Sequence, residues 1–360
     1  MSMAVNPELT ASNEIARILL FPETNKVETF MKGKVELVEY AVRDDSPLVG
    51  LPLGELYRKF QIQVLICLRE QKNSCYFIGC CQFRIQVLIC AVKRKDEVYI
   101  PDGDFVLQAG DKMHIAASHQ NLKNFFKSLM KKTVRIKNVL ICGGGHLCFY
   151  LALQLLQVGM QVKIIEKDSS RCETLCELLP KATVINADAT SHDLLLEEGI
   201  GEADAVVALT GMDEENIIMA LFAKTQGVKK IIAKVNEDTR AQMVEGLGID
   251  SIVSAKSATA DAILRYVRAR KNSHDSANVE SMYRLVNGQV EAQEFIIKKE
   301  CKYTNIPLKN LPTKPNTLIA CIGRDRKVII PNGDSHIEVG DSVIVVTKGR
   351  SIDNFIDILA

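Results

Sequence analysis

A chain of 360 residues, 47% hydrophobic and 25% charged, has ordinary soluble composition and enough length for two or three domains. With 45 Lys and Arg against 44 Asp and Glu, its net charge of +1 excludes an electrostatic case for nucleic acid or an anionic membrane surface. No apolar run approaches the ~18 to 20 residues that span a bilayer, and the opening MSMAVNPEL lacks the regions of a signal peptide, so a cytoplasmic location is expected.

The first expected element is a helix at Glu14–Phe21 (EIARILLF), followed by strand text, VETFMKGKVELVEYAV, around Gly33 and a turn around Pro52 in GLPLGEL. FQIQVLIC at Phe60–Cys67 then recurs as FRIQVLIC at Phe83–Cys90, with a period of 23. One copy is expected in a central strand, with LREQKNSCYFIGCCQFR displaced as an insertion near 68–90. Cys75, Cys80 and Cys81 fall inside it, but the spacing C-x4-C-C matches no zinc signature, so no metal is expected. The other cysteines read as reduced, small hydrophobes, Cys142 in an apolar strand and Cys172 and Cys176 on one helix face. VYIPDGDFVLQAGD (Val98–Asp111) pairs two turns with alternating apolar residues, the pattern of a compact antiparallel unit in which Asp102 and Asp104 serve turn geometry.

Over 133–256, strands are expected at Ile136–Cys142, Val162–Glu166, Thr183–Ala187, Ala205–Leu209, Lys230–Val235 and Ser251–Val253, alternating with helices. That alternation defines a doubly wound parallel sheet whose ligands bind at the strands' carboxyl ends. The stretch NVLICGGGHLCFYLALQLLQVGMQVKIIE (Asn138–Glu166) reads as strand, glycine turn, helix and second strand ending on an acid. Gly143 and Gly145 let the backbone turn close to a pyrophosphate, and the helix opening there offers unpaired N–H groups. Glu166, 23 residues after Gly143, is placed to accept hydrogen bonds from a ribose. The third glycine of G-x-G-x-x-G is replaced by Cys148.

A helix at Ala258–Arg270 and a polar stretch, KNSHDSANVE, lead to a second small β-rich region. It repeats the first: Gly288 stands opposite Gly33 and Pro307 opposite Pro52, both at an offset of 255. VIIPNGDSHIEVGD (Val328–Asp341) matches Val98–Asp111 at an offset of 230, with Asn332 and Asp334 in the turn. The difference of 25 residues measures the insertion in the first copy. Helix Glu14–Phe21 likewise resembles Ala262–Arg268.

KNVLICGGGHLCFYLA, KIIEKD, INADAT and ADAVVALTGMDEENI, between the GLPLGEL and NIPLKNL regions, together resemble the RCK (regulator of K+ conductance) modules of the TrkA family. The resemblance implies a Rossmann-like α/β domain flanked by two small α+β C-terminal domains. The expected boundaries are 1–24 for a crossover helix left from a missing first Rossmann lobe, 25–132 for the first C-terminal domain and 133–256 for the nucleotide-binding domain. A crossover helix and linker at 257–280 and the second C-terminal domain at 281–360 complete the chain, which on this pattern is truncated at its N-terminus.

By the same resemblance, Gly143, Gly144 and Gly145 form the phosphate loop with His146, Leu147 and Cys148 at the helix start, and Glu166 with Lys167 borders the ribose. Asp188 and Ala189 border the adenine, and Thr210 and Asp213 lie on the phosphate side. His146 stands where the family often has a phosphate-clamping arginine, and Cys148 where a glycine allows close helix packing; both departures point to weakened binding. The implied cofactor is NAD(H) or ATP/ADP. The implied function is nucleotide-sensing regulation of a potassium uptake channel, as a dimer or tetrameric ring on a TrkH/TrkG-like integral-membrane subunit at the inner face of the cell membrane. Two alternatives stand beside it, an NAD(P)-dependent oxidoreductase and a degenerate module used for assembly. Against an enzyme, the sequence has no Tyr-x3-Lys pair, no P-loop and no clustered acid/base set.

Overall fold

The computed structural model describes residues 4–60, 62–65, 85–129, 135–237, 239–240, 244, 247–271, 277–286, 288–325, 327–349 and 352–360. Helix α1 (Pro7–Leu20) starts seven residues before Glu14 because a cap is available there. The Asn6 side chain accepts the Leu9 amide at 3.0 Å, and Pro7 occupies the first turn, where its missing N–H costs nothing. Ala11, Ile15, Ile18 and Leu19 then recur at helical spacing and are buried.

The first small lobe contains β1 (Lys26–Phe30), β2 (Val35–Ala41), α2 (Leu56–Phe60), β3 (Ile62–Leu65), β4 (Ile85–Arg94), β5 (Glu97–Tyr99), β6 (Lys112–Ala117) and α3 (His119–Leu129). Its sheet runs β1-β2-β6-β4-β3, with β5 on β4. Ile62–Leu65 of the first IQVLIC copy form a strand paired in parallel with the second copy, Ile62 opposite Ile85, and the second copy holds the inner position beside β6. The residues succeeding each copy explain which one lies inside. After the second copy come Ala91 and Val92, both wholly buried, and then Arg94; the residues at the same places after the first copy are Leu68, Arg69 and Gln71. Placing Arg69 where Val92 sits would bury an unpaired guanidinium. The extra residues therefore precede Ile85 and do not span 68–90, while Cys75, Cys80 and Cys81 lie outside the described residues.

The central sheet is built from β7 (Asn138–Cys142), α4 (His146–Gln157), β8 (Gln161–Glu166), α5 (Ser169–Leu178), β9 (Thr183–Asn186), α6 (His192–Glu197), β10 (Ala205–Ala208), α7 (Asp213–Thr225), β11 (Lys230–Lys234) and β12 (Ser251–Val253). All its pairings are parallel, in the order β12-β11-β10-β7-β8-β9, a doubly wound Rossmann-like sheet. One face buries Val139, Ile141, Ile164, Val207 and Ile232 under α4 and α1; the other buries Leu140, Ile165, Val206 and Ile231 with Ala220 and Ala223 of α7. Asn6 Nδ2 donates to Tyr150 OH at 3.2 Å and Gln154 Nε2 to Ser12 Oγ at 3.1 Å, fixing α1 along α4.

After α8 (Ala255–Lys271), the second lobe contains β13 (Ala277–Leu285), β14 (Val290–Ile297), β15 (Thr317–Arg324), β16 (Lys327–Ile329) and β17 (Ser342–Lys348). Strand β13 begins inside the polar stretch read as linker, because Ala277 to Val279 pair with Ile297 to Phe295. The order β13-β14-β17-β15-β16 repeats the first lobe without β3, and the bulges at Ile89/Ala91 and Ile319/Cys321 coincide at the offset of 230. Among the described residues no helix is long and apolar enough to cross a membrane.

Residues 1–26 and 134–263 form one compact unit, and residues 27–133 and 264–360 a second. In the second unit the two small lobes share a core that includes Phe30, Leu88, Ala116, Val290 and Ile344. Glu294 accepts the Met31 amide at 3.1 Å, and Tyr283 OH donates to the Thr29 carbonyl at 2.8 Å. Each lobe carries the same clamp, which the sequence reading missed. Arg94 forks onto buried Asp111 at 2.8 and 2.7 Å, and Arg324 onto buried Asp341 at the same distances. The aspartates also accept the Gln108 and Glu338 amides, closing the two Gly-Asp turns, and these bonds raise both arginine pKa values. Asn332 Oδ1 accepts the Asp334 and Ser335 amides at 3.0 Å, an Asx turn as its residue type predicts.

Candidate functional site

The glycine turn between β7 and α4 sits at the carboxyl end of the parallel sheet. Gly143 has φ +104, a conformation L side chains rarely adopt, and a Cβ there would lie 3.0 Å from Leu209 C and Thr210 N. Backbone crowding thus requires glycine twice over. A Cβ on Gly144 would meet Leu175 Cδ1 at 2.8 Å and Glu166 Cγ at 2.9 Å, whereas one on Gly145 would point into open space. Gly145 is the N-cap of α4, and no side chain caps it, so the first N–H groups of the helix face that space.

Glu166 closes the other side of the turn. Its Oε2 accepts the Gly144 amide at 2.5 Å and its Oε1 the Asp168 amide at 2.9 Å, which aims the carboxylate along the loop with lone pairs remaining for a ribose. Arg171 Nε donates to the Gly144 carbonyl at 2.6 Å, and Asn186 Nδ2 holds the Glu166 and Lys167 carbonyls at 3.1 and 3.0 Å. Asp168 caps α5 and, bonded by Ser170 and the Arg171 amide, is held below its usual pKa.

The remaining expected residues separate by what their side chains touch. His146 and Lys167 are exposed at the loop, while Leu147 and Cys148 are buried in the core shared by α1, α4 and the sheet. Cys148 packs there beside Ile141, Ile164 and Leu175, and desolvation pushes its thiol pKa far up. Exposed Asp188 turns back to accept the Thr190 amide and hydroxyl at 2.9 and 2.8 Å, which lowers its pKa; Ala189 is buried. Thr210 donates its amide and hydroxyl to Asn216 Oδ1, both at 2.8 Å. Asp213 is buried and accepts the Asn236 and Glu237 amides at 2.9 and 3.1 Å. Its carboxylate thereby holds the loop after β11.

Three residues absent from the expected set complete the site: Arg171, Asn216 and Lys234. Asn216, wholly buried, ties Thr210 to the Lys234 carbonyl at 3.0 Å, and Lys234 Nζ lies 3.4 Å from the Leu209 carbonyl. The D-x-x-N spacing at the start of α7 was the available signal for Asn216; Arg171 and Lys234 reach the loop from separate elements and had none.

The turn, the uncapped helix and the acid fit a nucleotide: Gly143 to Gly145 and the α4 amides would hold the phosphates, and Glu166 the ribose. The geometry defines the class as a Rossmann-type nucleotide-binding protein. Comparison with known proteins agrees and goes further. The TrkA-N domain matches residues 139–255, and the TrkA-C domain matches 82–130 and 292–360. The Trk system potassium uptake protein TrkA homolog 1 of Methanosarcina mazei is 29% identical over 352 residues, covering 98% of this chain and 71% of that protein. The Trk system potassium uptake protein TrkA of Halomonas elongata is 29% identical over 356 residues, covering 98% and 72%. Among solved structures, the GsuK RCK domain is similar in fold, with TM-score 0.50 and 17% identity over 95% of this chain and 67% of that one. The GsuK channel bound to NAD gives TM-score 0.50 and 16% identity over 95% and 56%. The chain belongs to the TrkA family.

Proposed function

We propose that this chain is a regulatory, nucleotide-sensing subunit of a potassium uptake system, acting by change of shape. The observation that carries the reading is the Gly143–Gly145 turn, whose backbone is crowded where glycine is required and open where a ligand needs access. A bound nucleotide would supply anionic phosphates and ribose hydroxyls. Glu166 would exchange part of its loop hydrogen bonding for the ribose, and the α4 amides would gain acceptors. Such binding shifts a conformational equilibrium only by its difference in affinity between the two states.

The relatives named as Trk system potassium uptake proteins support the potassium role, and the NAD-bound GsuK channel supports the ligand class. On this reading the partner is an integral-membrane subunit of TrkH/TrkG type, the location is peripheral at the inner face of the membrane, and the working unit is a dimer or ring. The ligand is ADP, ATP, NAD or NADH. Among the described residues no group of His, Cys, Asp and Glu has the arrangement of a metal site.

Titration calorimetry with ADP, ATP, NAD and NADH tests the proposal, with micromolar or tighter binding of at least one expected. No heat and no thermal shift with any of them would leave the assembly-only reading, which the replacement of glycine by Cys148 motivates. Turnover of NADH on small carbonyl substrates would instead support an enzyme.

A further inference from the structure

Gly144 is held at both of its polar groups. Its N–H donates to Glu166 Oε2 at 2.5 Å, and its carbonyl accepts Arg171 Nε at 2.6 Å. Arg171 reaches it from the first turn of α5, where Asp168 Oδ1 accepts the Arg171 amide at 2.9 Å. The Asp168 amide in turn donates to Glu166 Oε1 at 2.9 Å, so the start of α5 and the acid are tied together. Leu175, one turn further along the same helix face, packs so close that a Cβ on Gly144 would meet its Cδ1 at 2.8 Å.

The bond from Arg171 fixes more than a carbonyl. The Gly144–Gly145 peptide is trans, so its carbonyl and the Gly145 N–H point to opposite sides of one planar unit. With the carbonyl turned to α5, the Gly145 N–H is turned away from α5, and it has no acceptor among the described residues. The Gly143 amide is engaged by the Ile165 carbonyl at 2.8 Å and the Gly144 amide by Glu166. Gly145 is therefore the first amide of the turn left for an anion, and the uncapped first amides of α4 follow it.

We infer that Arg171 is a positioning residue for the phosphate site: it sets the Gly144–Gly145 peptide so that the Gly145 N–H joins the first amides of α4 in facing the phosphates. The inference rests on the nucleotide-sensing reading and deepens it by naming what presets the anion site. Glu166 is shared between the turn and a ribose, whereas the Arg171 bond to Gly144 has no ligand group to compete with. The guanidinium lies on the side of that peptide away from the Gly145 N–H, so it does not replace the forked cation that His146 fails to supply. The role needs a donor at Nε and no charge.

Arg171→Gln and Arg171→Leu in the full chain separate this role from a contact of the guanidinium with phosphate. Glutamine Nε2 stands as many bonds from Cα as arginine Nε, so it keeps an N–H for the Gly144 carbonyl and removes the charge; leucine removes both. Arg171 is half-buried at the start of α5, so neither substitution empties the core. With ADP and NAD titrated by calorimetry, Arg171→Leu is expected to weaken binding about tenfold and Arg171→Gln to stay within about twofold of wild type. The amide NMR signal of Gly145 in the ligand-free protein supplies the second readout: it moves in Arg171→Leu and keeps its wild-type position in Arg171→Gln. Wild-type affinity or an unmoved Gly145 signal in Arg171→Leu overturns the inference while nucleotide sensing stands. So does an Arg171→Gln variant as weak as Arg171→Leu, which would assign the guanidinium charge to the phosphate itself. If the wild type binds none of ADP, ATP, NAD and NADH, the sensing reading falls, and the setting of the peptide by Arg171 is decided by the Gly145 signal alone.

Discussion

At the scale of single residues, backbone geometry carries the site. Gly143→Ala places a Cβ 3.0 Å from the Leu209–Thr210 peptide at φ +104, so a loss of about 1–3 kcal/mol in thermal unfolding is expected, with nucleotide binding lost. Wild-type stability in that variant would show that the turn is not held in this conformation. Glu166→Ala removes an acceptor for the Gly144 amide and for the ribose, and a fall in affinity of about ten- to a hundredfold by calorimetry is expected. These two residues were legible in the sequence because strand, turn and acid lie within one continuous stretch. Arg171 and Lys234 were not, since their roles come from how α5 and β11 are placed beside the turn. The Cys148 side chain goes into the core, and the Gly144 amide is hydrogen-bonded to Glu166.

At the scale of elements, the repeat was legible wherever both copies keep the same punctuation, as in the Pro-Asp/Asn-Gly-Asp and Gly-Asp turns. The reason for the second turn was missed, because Arg94 and Asp111 are 17 residues apart and nothing local links them. Arg94→Ala or Arg324→Ala leaves a buried aspartate without its cation, and each is expected to cost about 3–5 kcal/mol in denaturant unfolding. The choice between IQVLIC copies was written in the sequence after all, in Arg69 against Val92. In the central domain, buried Asp204 ties the start of β7 through the Lys137 and Asn138 amides at 2.9 and 3.1 Å and pairs with Lys229 at 2.7 Å. Burial alone would raise its pKa, but these bonds outweigh burial and hold it below the ordinary 3.8. The unfolded chain therefore binds this proton more readily, so the stabilisation is full above pH 3.8 and is lost as pH falls through the depressed value. Asp204→Asn is expected to flatten that part of the acid limb of stability, measured by denaturant midpoints across the acid range.

At the scale of the whole molecule, every residue of the candidate site, from Gly143 to Lys234, belongs to one compact unit, while both small lobes belong to the other. A connected route out of the first unit is the chain itself. The chain leaves it within α8, a continuous helix whose residues to Ile263 count with the parallel sheet and whose residues from Leu264 count with the small lobes. A helix transmits displacement because its backbone hydrogen bonds make it stiff over its length. Proline in its interior removes one of those bonds and clashes with the preceding turn, at a cost of about 3 kcal/mol. Ile263 is exposed, so Ile263→Pro breaks the helix at the junction without emptying a core site. Calorimetry on this variant is expected to give nucleotide affinity within about twofold of wild type, because the glycine turn, Glu166 and Lys234 are untouched. Potassium uptake in cells relying on the variant should lose its response to the nucleotide. Retained response with a broken α8 would move the route to α1 and β1, the other described segment through which the chain passes between the units.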